Sequence, residues 1–160
     1  MRTSFITDKK EIEEIIHHCD VCFIGLTERD GSPYVIPMNF GYSEGEIILH
    51  SGPEGKHVNL ISSDNRICVT FCSERKLVNQ HPDVACSYSM FSKSVVCKGK
   101  VTFIEDMTEK ETAMNLTMKN YTDRIFKYSK PSQILSRITG DFSPIVPEKT
   151  IASTPPNTPA

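Results

Sequence analysis

The sequence lacks the features that mark several classes of protein. Its 18 Lys and Arg are balanced by 20 Asp and Glu, giving a formal net charge of -2, so nothing in its charge favours a nucleic-acid partner. It contains no apolar run long enough to span a bilayer. Its first residues, MRTSFITDKKEIEEI, are too charged for a secretory signal. We therefore expect a cytoplasmic protein that binds neither nucleic acid nor a membrane.

Disulfides are also not expected. The sequence has six cysteines, and in a protein without a recognisable secretory signal thiols are expected to be reduced. Two of them, Cys19 and Cys22, follow His17 and His18, and this close group could form half of a zinc or iron–sulfur site. No second group has matching spacing, so we predict no metal. Buried thiols in the core and a regulatory thiol pair are the other interpretations.

The length of 160 residues suits a single domain that can bury a core without a metal or a disulfide. With 38% hydrophobic and 24% charged residues, the composition is that of a globular protein. Proline becomes frequent near the C-terminus. We place the domain at residues 1–140 and expect a flexible, proline-rich tail at residues 141–160.

Hydrophobic periodicity and turn residues divide this domain into strands and helices. Asp8 with Glu11 and Thr108 with Glu111 form helix-start patterns. Pro37, within the second strand, has no N–H for a ladder, so that strand is expected at a sheet edge or at a bulge. The predicted elements are a helix at Lys9–Cys19, strands at Val21–Thr27, Tyr34–Tyr42 and Glu46–His50, a helix at Lys56–Ser63, a strand at Arg66–Cys72, two strands or one long bent strand at Val84–Glu105 with a kink or bulge at Lys98-Gly99, a helix after Thr108, and a short helix or strand at Ser132–Ile138.

These elements predict a mainly β fold with peripheral helices. Short strands joined by tight turns are typical of a small antiparallel or Greek-key barrel. The strands are too close in sequence for crossover helices, apart from the helix that begins at Lys56, which argues against a parallel Rossmann sheet.

The loop after the third strand has the chemistry of an anion site. It carries Ser51, Lys56 and His57 and ends at the start of a helix, where backbone N–H groups are unpaired. Gly52 and Gly55 allow close approach of the main chain. A solvated basic pair is the alternative, although a helix start is an unfavourable place for cations unless an anion is bound. We therefore predict a phosphorylated cofactor at this loop.

The order of the motifs resembles the flavin-binding split-barrel proteins related to pyridoxamine 5'-phosphate oxidase. Within that family the sequence is similar to the nitroimidazole-resistance proteins. The similarity extends from about residue 9 to about residue 122. It is carried by GSPYVIPMNF at Gly31–Phe40, LHSG at Leu49–Gly52 with Gly55-Lys56, and FSKSVV at Phe91–Val96 with GKV at Gly99–Val101.

The resemblance implies a split β-barrel homodimer with two FMN sites at the subunit interface, with FAD as a possible substitute. It assigns the flavin ring to one strand, the ribityl chain and phosphate to the following loop, and further hydroxyl donors to a later strand. The residues so implied are Pro37, Met38, Asn39 and Phe40 at the ring, His50, Ser51 and Gly52 at the ribityl chain or phosphate, Lys56 and His57 near the phosphate, and Ser92 and Ser94 as hydroxyl donors.

His50 is the residue for which the resemblance implies a catalytic role, because a histidine in this motif lies near the flavin. An imidazole can donate a proton near neutral pH. The alternative is a histidine that is hydrogen-bonded at a strand end, and for Ser92 and Ser94 it is a pair of serines facing solvent.

The function implied is an FMN-dependent oxidoreductase that reduces a small organic molecule, such as a nitroaromatic compound, with NAD(P)H or another donor. Two alternatives remain open at this point. One is a flavin-binding or flavin-storing protein without catalysis, and the other is a haem-binding split-barrel protein in which a histidine ligates iron.

Overall fold

The computed structural model describes residues 6–126 and 134–141. The predicted tail at 141–160 therefore lies outside the described residues, except for Asp141. The described elements are α1 (Lys9–His17), β1 (Cys22–Thr27), β2 (Pro33–Met38), β3 (Phe40–Ser43), β4 (Glu46–Ser51), α2 (Lys56–Ser63), β5 (Arg66–Asn79), a 3-10 turn (Ala85–Ser87), β6 (Tyr88–Ile104), α3 (Met107–Lys119) and β7 (Ile134–Asp141).

The seven strands form one antiparallel sheet in the order β2-β1-β5-β6-β7-β4-β3. β2 and β3 are the two edges of this sheet, yet only Asn39 separates them in the chain. The sheet therefore curls until its edges meet at Asn39, which produces the predicted split barrel. The predicted second strand, Tyr34–Tyr42, is corrected to two strands, and the prediction of an edge at Pro37 is confirmed.

The core fills the inside of the curled sheet. Phe40 and Phe71 are fully buried there and meet edge to face, with ring centroids 4.8 Å apart. α1 closes this core with Ile12, Ile15 and Ile16, which recur at helical spacing. Its start is capped as predicted, because the Asp8 carboxylate accepts hydrogen bonds from two backbone N–H groups. The helix ends at His17 rather than at the predicted Cys19.

α3 packs against the outside of β3 at very short range. A Cβ placed on Gly41 would lie 2.6 Å from the Cα of Thr117, so only glycine fits between this strand and the helix. The cap of α3 differs from the prediction, because Asp106 rather than Thr108 receives the first-turn N–H, from Glu109 at 2.8 Å. Both residues begin a pattern with Glu three positions later, and the helix starts at the earlier one.

β5 and β6 are longer than their neighbours. β5 continues to Asn79, beyond the predicted end at Cys72, and β6 is one long strand rather than two. β1 pairs with β5 only as far as Thr70, and β7 pairs with β6 only from Lys98 onward. The remaining part is a two-stranded ribbon with an irregularity between Ser73 and Lys76.

The predicted kink at Lys98-Gly99 is not present, because the register between β6 and β7 is continuous there. Gly99 instead faces Gly140, where any Cβ would collide with backbone. The segment that was predicted as a short helix or strand at Ser132–Ile138 overlaps β7, a strand that pairs with β6 on one side and β4 on the other. Arg137 of β7 also pairs with Glu109 of α3, with 2.7 Å between Nη1 and Oε1.

Candidate functional site

The start of α2 follows the prediction at Lys56–Ser63. Gly55 precedes it with a φ of 156°, and a Cβ there would lie 3.0 Å from the His57 ring, so glycine is required. In the described part of the chain no side chain caps this helix, and its first turn holds no acidic residue. The first N–H groups are therefore available to an external acceptor.

Lys56 points from this helix start toward the β1–β2 hairpin. Its Nζ donates a hydrogen bond to Oε1 of Glu28 at 2.8 Å and lies 4.7 Å from the centroid of the Tyr34 ring. The hydrogen bond to Glu28 raises the pKa of Lys56, so the ammonium is charged. These contacts place one cation at the seam between edge strand β2 and helix α2.

His57 is half-buried beside Lys56. Its Nε2 is buried and has no hydrogen-bond partner among the described residues. Burial lowers the pKa of His57 below its usual value, because no neighbouring acceptor offsets the cost of desolvating an imidazolium. Through Nε2, a neutral His57 can donate to an anionic oxygen only in the tautomer that carries the proton on Nε2, so the uncapped helix start and Lys56 are the donors that fit a phosphate.

The strand and loop before α2 carry the next predicted residues. His50 is half-buried on β4 opposite Leu135 of β7. Ser51 ends the strand, and its hydroxyl donates to the carbonyl of Gly52 at 3.1 Å. Gly52 is exposed, and a Cβ there would approach nothing closer than 4.0 Å, so packing does not demand glycine at this position. The predicted phosphate residues therefore follow His50 closely in the chain, from the end of β4 to the start of α2.

Edge strand β2 alternates between the core and the exterior. Pro37 and Asn39 are exposed, whereas Met38 is half-buried and packs against the core. Phe40 is fully buried against Phe71, so its side chain is part of the core and only its backbone could touch a ligand. That backbone N–H already donates to the Tyr121 hydroxyl at 2.9 Å.

Ser92 and Ser94 lie on β6, which neighbours neither β2 nor β4 in the sheet. They lie on the part of β6 that pairs only with β5, and both are half-buried. Three strand spacings separate β6 from β2, which is about 14 Å along the sheet. Within a single chain, the predicted site residues therefore form two groups.

The cysteines are the remaining residues that the sequence analysis considered as ligands. All six are free thiols, and Cys19 and Cys22 are buried. The Cys19 thiol donates to the carbonyl of Ile15 and the Cys22 thiol to that of Met38. Burial raises the pKa of Cys22 to about 12. Among residues 6–126 and 134–141, no group of three or more His, Cys, Asp and Glu side chains could hold a metal ion.

Glu28 and Tyr34 are the site residues that the sequence analysis did not predict. Both contact Lys56 across the seam, 28 and 22 positions away in the chain. The Asp30-Gly31 turn places them on the two arms of one hairpin, and this was the available signal. The sequence did not indicate that this hairpin would contact α2, because that contact depends on the curl of the sheet.

With this geometry established, comparison with known proteins identifies the family. A family model described as pyridoxamine 5'-phosphate oxidase matches residues 8–139. The chain belongs to the pyridoxamine 5'-phosphate oxidase family. None of the curated proteins matches the chain. The family match confirms the resemblance stated from the motifs.

Solved structures share the fold. A Bacteroides thetaiotaomicron protein, provisionally assigned to 5-nitroimidazole antibiotic resistance, is 46% identical over 88% of this chain and 84% of its own, with a TM-score of 0.79. An FAD- and haem-binding protein from Mycobacterium smegmatis is 14% identical over 99% and 92%, with a TM-score of 0.72. An FAD-binding protein from Mesorhizobium loti is 19% identical over 84% and 90%, with a TM-score of 0.59. The last two similarities show a common fold alone.

Helices in the described part of the chain are too short or too polar to cross a membrane.

The buried environment of His57 predicts a measurable titration. We expect its pKa to lie below the usual 6.5 in the ligand-free protein, because burial disfavours the charged ring. The imidazole of the unfolded chain then binds a proton more readily than that of the folded protein. The contribution of neutral His57 to the free energy of unfolding is therefore complete above pH 6.5 and is lost as the pH falls below 6.5. The measurement is an NMR titration of ring protons, assigned with His57→Gln. A midpoint at or above 6.5 would contradict the burial argument.

Proposed function

We propose that this chain binds FMN at the seam between β2 and α2 and acts as an oxidoreductase on a small organic molecule. The observation that carries the proposal is the uncapped start of α2, with the Lys56 ammonium and the unpaired Nε2 of His57 beside it. When bound, the flavin would supply the redox chemistry, and the protein would orient it and exclude water. NAD(P)H or another donor would provide the electrons.

The phosphate of FMN is the group assigned to the helix start. Backbone N–H groups and the helix dipole favour a dianion there, and Lys56 adds a full positive charge. Ser51 and Gly52, in the preceding loop, are placed for contact with the phosphate or the ribityl chain. FAD remains an alternative ligand, in keeping with the names of the Mesorhizobium loti and Mycobacterium smegmatis proteins.

The flavin ring is assigned to the exposed side of β2. Three residue steps, about 10 Å along a strand, separate Tyr34, beside Lys56, from Pro37, and their side chains lie on opposite faces of β2, so the ligand would pass around the edge of this strand. A ligand that touches both ends must therefore join its anion to its ring through a spacer, as FMN does. Pro37 and Asn39 would present their side chains to the ring, Met38 and Phe40 only their backbone.

His50 is proposed as the proton donor to the substrate. It is half-buried on β4 and precedes Ser51, the last residue of that strand. An imidazole beside the ring could donate a proton to the substrate. A nitroaromatic substrate is proposed because the 46% identical Bacteroides thetaiotaomicron protein is assigned to 5-nitroimidazole resistance. A flavin-storing protein would instead show flavin absorbance bands but no turnover. A haem-binding protein would show a Soret band.

A second copy of the chain is proposed as the partner. The outer face of the sheet exposes Phe23 and Val35, and the β5–β6 ribbon exposes Leu77 and Met90, each by 46% or more. A two-stranded ribbon alone is marginally stable in water, so cover from another chain would stabilise it. In such a homodimer, Ser92 and Ser94 of one copy would complete the flavin site of the other.

Removal of the Lys56 ammonium tests the phosphate assignment. We expect Lys56→Ala to weaken FMN binding by about 1.5–3 kcal/mol, the range for a hydrogen bond to a charged group. Riboflavin, which has no phosphate, should bind to both proteins equally. Fluorescence titration measures both affinities, and Lys98→Ala, an exposed lysine on β6, is the matched control. An unchanged FMN affinity would show that the phosphate lies elsewhere.

The role of His50 is tested by separating turnover from binding. We expect His50→Gln to lower the rate of nitroaromatic reduction by about 100-fold or more, the usual contribution of a general acid, while FMN affinity changes little. Steady-state rates and flavin titration give the two quantities, with His18→Gln on the exposed end of α1 as the control. Equal losses of turnover and affinity would indicate a structural role.

The homodimer is tested by mass in solution. Light scattering should give twice the 18.0 kDa of one chain. Leu77→Glu combined with Met90→Glu should lower this mass, because charges would be buried at the interface. Ile125→Glu, at a residue that is 89% exposed outside the ribbon, is the control and should leave the dimer intact. A wild-type mass of one chain would rule out the homodimer.

A further inference from the structure

We propose that Glu28 sets how tightly this site holds a phosphate, because its carboxylate is a hydrogen-bond partner of the Lys56 ammonium. The inference rests on the proposed function and adds to it a residue that opposes binding. Glu28 accepts the hydrogen bond from Nζ of Lys56 at 2.8 Å, so an incoming phosphate must share or displace this partner.

Glu28 is the more restrained residue of this pair. The backbone of Glu28 is held at both ends of the turn, because its N–H donates to Ser32 at 2.8 Å and its carbonyl accepts from Gly31 at 2.9 Å. The Glu28 side chain is 30% exposed, whereas that of Lys56 is 51% exposed and ends a flexible four-carbon stem. Lys56 therefore has more freedom than Glu28 to turn toward a second acceptor.

Tyr34 keeps the ammonium at the seam whichever acceptor it meets. The ring lies 4.7 Å from Nζ, and a cation over an aromatic face is attracted by the ring itself. Asp30, the other nearby carboxylate, is bonded to the N–H and the hydroxyl of Ser32. Glu28 is thus the carboxylate that contacts Lys56 within the described residues.

A bound phosphate would face the Glu28 charge at close range. The two anions would compete for one ammonium and repel each other, so part of the attraction from Lys56 would be cancelled. Replacement of Glu28 by Gln keeps the length of the side chain and its hydrogen-bond acceptor but removes the charge. The variant should therefore bind FMN more tightly, although it removes a residue from the site.

The test is a titration of FMN and riboflavin into the full chain and its variants. We expect Glu28→Gln to tighten FMN binding about two- to fivefold, the scale of an exposed ion pair, and to leave riboflavin binding unchanged. Glu28→Ala should act in the same direction. Glu14→Gln, on α1, removes an equal charge at a distance and should change neither affinity. In the Lys56→Ala background the gain from Glu28→Gln should become smaller, because the competition for the ammonium is removed and only the direct repulsion between the two anions remains.

The outcomes separate this inference from the proposed function. If the wild-type protein binds FMN but Glu28→Gln binds it equally or less tightly, the inference is overturned and the FMN site stands. If FMN and riboflavin gain equally, the effect does not act through the phosphate, and the inference is again wrong. If the wild-type protein binds neither flavin, the proposed function fails and the role of Glu28 fails with it.

Discussion

The connection between the two edges of the sheet is the constraint on which the rest of the structure depends. Met38 ends one edge strand and Phe40 begins the other, so their Cα atoms are at most about 7 Å apart. In a flat sheet of seven strands the edges would lie about 29 Å apart. The curl that removes this difference forms the barrel and encloses Phe40 and Phe71 in its core.

The same curl produces the candidate site. The edges meet at Asn39, and farther along β2 helix α2 approaches the β1–β2 hairpin, joined by the contacts of Lys56 with Glu28 and Tyr34. A helix start with free N–H groups is thereby brought to the rim of an exposed strand. In the proposed site, the Lys56 ammonium and the opposing Glu28 carboxylate would decide how strongly an anion is held there. The proposed flavin site is thus a consequence of the seam rather than of any single motif.

Local patterns in the sequence predicted the elements whose signals are local. The Asp8 cap, the span Lys56–Ser63 and the edge position of Pro37 all depend on a few neighbouring residues, and all were correct. The break at Asn39 was missed because the residues on both sides of it favour strands. The alternation of side chains continues across it, because Met38 and Phe40 both face the core while Pro37 and Asn39 are exposed.

Features that depend on distant partners were harder to predict. The far half of β5 is polar and becomes a strand because it pairs with β6, while β7 forms because it has a partner on each side. The pair of Glu28 and Lys56 likewise requires the closed sheet. The family resemblance supplied the order of the site residues, but it could not show that Ser92 and Ser94 lie on β6, which neighbours neither β2 nor β4 in the sheet.

The central claim is that an anion held at the start of α2 fixes a ring against edge strand β2. A crystal structure of the protein with FMN tests this most directly. The account predicts that the phosphate lies within hydrogen-bond distance of the first N–H groups of α2 and of Lys56, with the flavin ring along Pro37 and Asn39. A phosphate bound elsewhere, with the seam closed by the chain's own side chains, would contradict it.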